Sequence, residues 1–188
     1  MAPPDIPAGT LVFTSEHGAR RAAALGLAPR PAWAVGARTA RVATALGFDC
    51  RTGPGTAAAL ARTLADARGP FVHLHGRHVT GDLAGRLRDA GLEAHARVVY
   101  NQEALPLTAA ARRQLGRGSA ILPLFSPRSA ALAAAGETRI APDVAVVAMS
   151  PAVAEAWPAG GVIHVACRPD ATAMLACVGG LVARQRER

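Results

Sequence analysis

Residues 11–20 read LVFTSEHGAR and residues 124–130 read LFSPRSA. In both, an apolar run stops at a small hydroxyl residue and an alanine-rich amphipathic stretch follows. Each therefore reads as a strand that delivers the chain into the first turn of a helix. Working outward, short apolar runs predict strands near Thr10–Thr14, Ala32–Val35, Phe71–His75, Arg97–Tyr100, Ala120–Phe125, Val144–Ala148 and Val162–Ala166. Between them, helical periodicity covers Glu16–Leu25, Arg38–Leu46, Thr56–Ala67, Val79–Ala90, Thr108–Leu115, Arg128–Ala135, Pro151–Trp157 and Ala171–Arg184. This alternation is that of a parallel sheet wrapped in helices, so the fold class is α/β.

Boundary chemistry supports these assignments. Thr56 and Asp170 are N-cap candidates, because their side-chain oxygens accept from an orphan helix amide. Pro127 and Pro151 fall in first turns, where a missing N–H costs nothing. Gly47 and Gly91 follow the last periodic residues of their helices, where a left-handed residue wants no side chain. The order of events repeats: strand, hydroxyl turn, helix, strand, small-residue turn, helix. Phe13-Thr14-Ser15 aligns with Phe125-Ser126-Pro127, Ala34-Val35-Gly36 with Ala148-Met149-Ser150, and Ala57-Ala58-Ala59-Leu60 with Thr172-Ala173-Met174-Leu175. Two similar parallel-sheet, three-layer domains are the simplest architecture.

Composition narrows the function. The chain has 188 residues, 51% hydrophobic, enough for one large core or two small ones. No apolar run is long enough to span a bilayer and MAPPDIPAG lacks the form of a signal peptide, so the expected location is cytoplasmic. Cys50, Cys167 and Cys177 are too scattered for a disulfide framework or a zinc ribbon. The net charge of +8 comes from arginine alone, since the sequence contains no lysine. That excess suits a small polyanion, or it reflects GC-rich codon usage. The arginines are dispersed and aromatics make up only 4% of the chain, which argues against a nucleic-acid partner.

In open parallel sheets, ligands meet the carboxyl ends of the strands, where helix amides converge. The turns there read FTSEHG, AVGART, HLHGRH, LFSPRS and AMSPAV. Their hydroxyls either cap their own helices or face an anionic ligand. There is no GxxxxGK[ST], GxGxxG or GxSxG, and Gly53-Pro54-Gly55 reads as a loop rather than a phosphate cradle. His73 and His75 share a strand face with His78 close by, but no carboxylate or cysteine near them completes a metal site. No metal is expected, and any catalysis should work by positioning.

The ordered set LVFTSEHGAR, AVGARTARVATALGF, VHLHGR, VVYN, LFSPRSA, VVAMSPAVAEA and CRPDATAMLACV resembles the uroporphyrinogen-III synthase family over nearly the whole chain. The resemblance implies two α/β domains joined by a two-stranded linker, with the active site in the cleft between them. It implies a leader or remnant of the linker at residues 1–9, a first domain at 10–98, a linker at 99–104 and a second domain at 105–188. The family places a βα unit ahead of the FTS strand and in the same domain as the C-terminal half, so the second domain is expected to lack that unit.

It further implies a cofactor-free lyase that cyclises hydroxymethylbilane, a linear tetrapyrrole with eight carboxylates, to uroporphyrinogen III with loss of water and inversion of the last ring. The implied alternative is a non-catalytic two-lobed tetrapyrrole-binding homologue. Carried over by position, the substrate-binding residues are Thr14, Ser15, Gly36, Thr39, Gly76, Arg77, Ser126, Arg128 and Ser129. Tyr100, the chain's sole tyrosine, matches the family's tyrosine proposed to help the hydroxyl leave; the alternative reading is a lone tyrosine closing a strand. The expected partner is the small-molecule polyacid, without nucleic acid or membrane, and the expected state is a monomer.

Overall fold

The computed structural model describes residues 4–79, 81–136 and 139–186, and it divides into two units, Met1–Glu103 and Ala104–Arg188. In the first, the elements follow as β1 (Thr10–Phe13), α1 (Glu16–Ala24), β2 (Pro31–Ala34), α2 (Ala37–Ala45), β3 (Asp49–Thr52), α3 (Ala57–Thr63), β4 (Phe71–Gly76), α4 (Leu83–Asp89) and β5 (Ala94–Tyr100). The five strands are parallel, in the order β3-β2-β1-β4-β5. Side chains alternate between the faces of a strand, and the core follows that rule. Leu11 and Phe13 pack with Ala19, Ala22, Ala40 and Ala43 of α1 and α2. Val12 packs on the opposite face with Leu60, Leu83 and Leu87 of α3 and α4. The result is helix, sheet, helix.

The second unit runs α5 (Ala109–Arg117), β6 (Ile121–Leu124), α6 (Pro127–Ala134), β7 (Ala145–Ala148), α7 (Pro151–Glu155), β8 (Val162–Val165) and α8 (Ala171–Arg186). Its three strands are parallel in the order β6-β7-β8. Val144, Val146 and Ala148 face Leu115, Ala130, Val153 and Trp157, whereas Ala145 and Val147 face Met174 and Leu181 of α8. The α/β class with parallel sheets is as the sequence indicated. Residues 101–108 form neither helix nor strand. No described helix is long and apolar enough to cross a membrane.

The boundary signals hold where the chemistry was specific. Thr56 accepts from the Ala59 amide and Asp170 from the Ala173 amide, and Gly47 and Gly91 take φ of 93° and 81°. Two parts of the repeat alignment need correction. The N-caps Ser15 and Ser126 are the equivalent residues, so Phe13 matches Leu124 and Thr14 matches Phe125, one residue away from the alignment by identical letters. Likewise Thr56 and Asp170 are equivalent caps, so Ala57 matches Ala171. The helix expected at Val79–Ala90 begins only after Asp82, whose carboxylate caps Gly85. Thr80, and residues 1–3 of the expected leader, lie outside the described residues.

The equivalence exposes a difference between the sheets. In the first unit β1 is flanked by β2 and β4; β6, its counterpart, pairs only with β7 among the described residues. The Ala120 and Leu124 carbonyls accept from β7 and the residue following it, so Ile121 and Pro123 turn their backbone groups to the outer edge. Pro123 has no N–H to offer there, as is usual for proline in an edge strand. At the other edge, β8 leaves Val162, Ile163 and Val165 partly exposed. With both edges open, amides of β6 to β8 are expected to exchange faster than those of β1, β2 and β4 in native-state hydrogen exchange. Equal protection in the two sheets would contradict this reading.

Candidate functional site

The strand order of the first sheet reverses between β1 and β4, since the chain builds outward through β2 and β3 and then returns to the other side of β1. At such a switch point the loops leave in opposite directions and open a crevice at the carboxyl ends of the strands. Thr14 and Ser15 after β1, His73, His75 and Gly76 on β4, and Tyr100 at the end of β5 gather there. Distant stretches of sequence thus form two polar groups at these strand ends, Ser15 with Tyr100 and Thr14 with His73 and His75.

The first group centres on a bond between Ser15 Oγ and the Tyr100 hydroxyl at 2.8 Å. Three local features bring them together. Gly18 lets α1 approach β4 so closely that a Cβ there would lie 2.7 Å from the Leu74 carbonyl oxygen. Arg21 Nε donates to the Val99 carbonyl at 3.1 Å and pins α1 to β5. Gly76 clears the path of the phenol, because a Cβ there would lie 2.5 Å from Tyr100 Cε2 and 2.7 Å from Gln102 Oε1. The β4–β5 ladder shifts register between His75 and Gly76, pairing Gly76 with Tyr100, and the Arg77 amide donates to the Tyr100 carbonyl at 2.9 Å. The His17 ring stands 5.9 Å from the phenol ring, centroid to centroid. Gly76→Ala is therefore expected to displace the Tyr100 ring and to cost about 1–3 kcal/mol of stability. A denaturant midpoint equal to wild type, with the ring in place, would show that the crowding is relieved elsewhere.

On the opposite face of the sheet, in register with Val12, lies a buried histidine. His73 is 3% exposed, and its Nε2 sits 3.1 Å from Thr14 Oγ1. Burial, reinforced by the neighbouring His75 and opposed by Asp82, lowers its pKa to about 4, so it is neutral at neutral pH. His75 stacks near it at 4.7 Å between ring centroids and donates Nδ1–H to the Gly76 carbonyl at 2.8 Å. Among the described residues no group of three or more His, Cys, Asp and Glu converges as ligands.

Gly36 and Thr39 lie at the start of α2, where Gly36 is an N-cap without a side chain to cap it. A Cβ at Gly36 would meet nothing within 4 Å. Glu16 ties this helix start to that of α1, its carboxylate lying 2.9 Å from the Arg38 guanidinium and 3.7 Å from that of Arg20. Sequence reading missed this link, for nothing local pairs Glu16 with Arg38. Gly53 and Gly55 donate their amides to the Ala34 and Val35 carbonyls, both at 2.7 Å, so these amides are engaged with the chain itself.

In the second unit, Ser126 and Ser129 form a capping box: the Ser129 amide donates to Ser126 Oγ at 3.0 Å and the Ser126 amide to Ser129 Oγ at 3.2 Å. Their hydroxyls stand 2.7 Å apart. The hydroxyls of LFSPRSA thus start their own helix. Arg128 lies in the same first turn. Ser15, Gly76 and Tyr100 come together, Arg77 joins them through its backbone, Thr14 at the same strand end faces His73 instead, and Gly36 and Thr39 lie at the next strand end.

A two-unit parallel α/β protein with hydroxyls, a phenol and an uncapped helix start at the ends of its strands is the class that this architecture defines. The family model for uroporphyrinogen-III synthase HemD matches residues 4–176, and the chain belongs to that family. The crystal structure of uroporphyrinogen-III synthetase from Helicobacter pylori is similar, with a TM-score of 0.67 at 18% identity, over 92% of this chain and 83% of that one. A mutant uroporphyrinogen III synthase from the extremely thermophilic bacterium Thermus thermophilus gives a TM-score of 0.51 at 19% identity, over 93% of this chain and 78% of the other. Both likenesses show the shared fold. None of the curated proteins compared matched the chain.

Proposed function

We propose that the protein is a uroporphyrinogen-III synthase, a lyase that cyclises hydroxymethylbilane to uroporphyrinogen III with loss of water and inversion of the last ring. The observation that carries this reading is the Tyr100 phenol, held at the switch point by Ser15. The difficult step is departure of the substrate's hydroxyl, because hydroxide is a poor leaving group. A phenol within reach donates its proton to that oxygen as the C–O bond breaks, so water leaves. The pyrrole nitrogen electrons stabilise the resulting methylene cation. For the last ring to invert, its already linked carbon first closes on this cation to form a spiro centre. The old carbon–carbon bond to that ring then breaks and gives a second methylene cation, which the ring's free carbon captures; loss of that carbon's proton completes the macrocycle and restores the phenol.

These steps require proton transfer and positioning, and in this reading the protein uses no cofactor. Thr14, Gly36, Thr39, Gly76, Arg77, Ser126, Arg128 and Ser129 serve the substrate's carboxylates and pyrroles. Amide N–H groups at helix starts and guanidinium groups are suited to that polyacid. The protein acts as a cytoplasmic monomer whose partner is the small-molecule polyacid, rather than nucleic acid or a membrane.

A competing reading is a two-lobed tetrapyrrole-binding homologue without turnover. The capping box favours it, since Ser126 and Ser129 spend their hydroxyls on each other. Incubation with freshly generated hydroxymethylbilane, with separation of the uroporphyrin isomers after oxidation, decides between them. The type III isomer is the product expected of the synthase.

A further inference from the structure

The carried-over pattern places Ser15 against the substrate, but the structure turns its hydroxyl to Tyr100. Ser15 Oγ accepts from the Gly18 amide at 3.4 Å as the N-cap of α1 and lies 2.8 Å from the phenol oxygen. A serine hydroxyl has one proton and two lone pairs. With one lone pair given to Gly18, the other lone pair or the proton serves Tyr100. Both are compatible with the same oxygen positions.

We propose that Ser15 is the positioning residue of Tyr100, and that its hydroxyl reverses polarity during the reaction. This rests on the reading of Tyr100 as the proton donor to the departing hydroxyl. When Tyr100 gives up its proton, the C–O bond breaks, water departs and the phenolate remains. Ser15 then donates its O–H to the phenolate while still accepting from Gly18. The positive end of α1 lies on the same side. When ring closure releases a proton from the pyrrole carbon, the phenolate recovers it. No other reactant is consumed, and the sum is hydroxymethylbilane to uroporphyrinogen III plus water.

Three substitutions separate cap, contact and donor. Ser15→Ala removes all three. Ser15→Asp keeps an effective cap but offers only acceptor oxygens to a phenolate. Ser15→Thr keeps the hydroxyl. Loss of a hydrogen bond to a charged group is expected to lower kcat by about 10-fold or more, with KM nearly unchanged, in Ser15→Ala and Ser15→Asp. Ser15→Thr should restore most of the rate lost in Ser15→Ala. In a Tyr100→Phe background, Ser15→Ala should cause no further loss, because Ser15 acts through the phenol.

A readout independent of turnover is the tyrosine Fermi doublet in the Raman spectrum, which reports the hydrogen bonding of the phenol. Tyr100 is the sole tyrosine, so its signal is unambiguous. The doublet should change in Ser15→Ala and be kept in Ser15→Thr. An unchanged doublet in Ser15→Ala, full kcat in Ser15→Asp, or additive losses with Tyr100→Phe would overturn the proposal. A changed doublet in Ser15→Ala together with a wild-type protein that forms no type III isomer would overturn the functional reading and the polarity reversal, while leaving the positioning contact in place.

Discussion

Replacement of Tyr100 by phenylalanine should lower kcat for type III isomer formation by about 100-fold or more, the range lost when a positioned proton donor is removed. The ring remains to fill its place beside Gly76, so packing is kept and only the hydroxyl goes. Its 2.8 Å partner, Ser15, is only partly buried and still caps α1, so the fold should persist with a denaturant midpoint close to wild type. A kcat loss with an unaltered KM marks an interaction made in the transition state. A variant with wild-type kcat would remove Tyr100 from the chemistry and leave it as a tyrosine closing a strand.

A second large effect concerns acid stability. The unfolded chain protonates His73 near its ordinary pKa of 6.5, whereas the folded protein does so only near 4, chiefly because the ring is buried. Between those values the unfolded state holds the extra proton, so lowering the pH favours unfolding. The penalty is absent above about pH 6.5, grows as the pH falls and is complete below about pH 4, where it reaches about 3 kcal/mol. His73→Gln keeps a polar group facing Thr14 without titrating in this window. Denaturant unfolding of both proteins at about pH 7 and about pH 4 should show the wild type losing about 3 kcal/mol more than the variant. Equal losses would mean that His73 is solvated or charged in the fold.

How much of this was legible in the sequence follows from what each element depends on. Strands such as LVF and VAVVA are buried on both faces and read as continuous apolar runs. Ser15, Thr56, Ser126 and Asp170 cap their helices through contacts within a few residues, so local sequence reveals them. By contrast β3 is DCRT, an edge strand with exposed polar residues, which offers no hydrophobic pattern to detect. The start of β5 at Ala94 escapes sequence reading because His95 and Arg97 interrupt its apolar residues.

The site is less legible than the fold for a related reason. Ser15 meets Tyr100, and Thr14 meets His73, only because strand order sets β4 beside β1 and β5 beside β4. No spacing in the sequence encodes that order. The family resemblance carries Ser15 over as a substrate contact, and its oxygen also lies 2.8 Å from the phenol oxygen, a contact that the resemblance does not indicate. Alignment by identical letters likewise matched Thr14 to Ser126, when the helix caps make Ser15 its equivalent.

The most direct test of the account is the isomer composition formed from hydroxymethylbilane. The purified protein is mixed with freshly generated substrate, the product is oxidised, and the type I and type III uroporphyrins are separated, beside a protein-free control that cyclises spontaneously. The account predicts predominantly type III with wild-type protein, and type I rising toward the control with Tyr100→Phe. Only the type I isomer, at the spontaneous rate, from folded wild-type protein would contradict it.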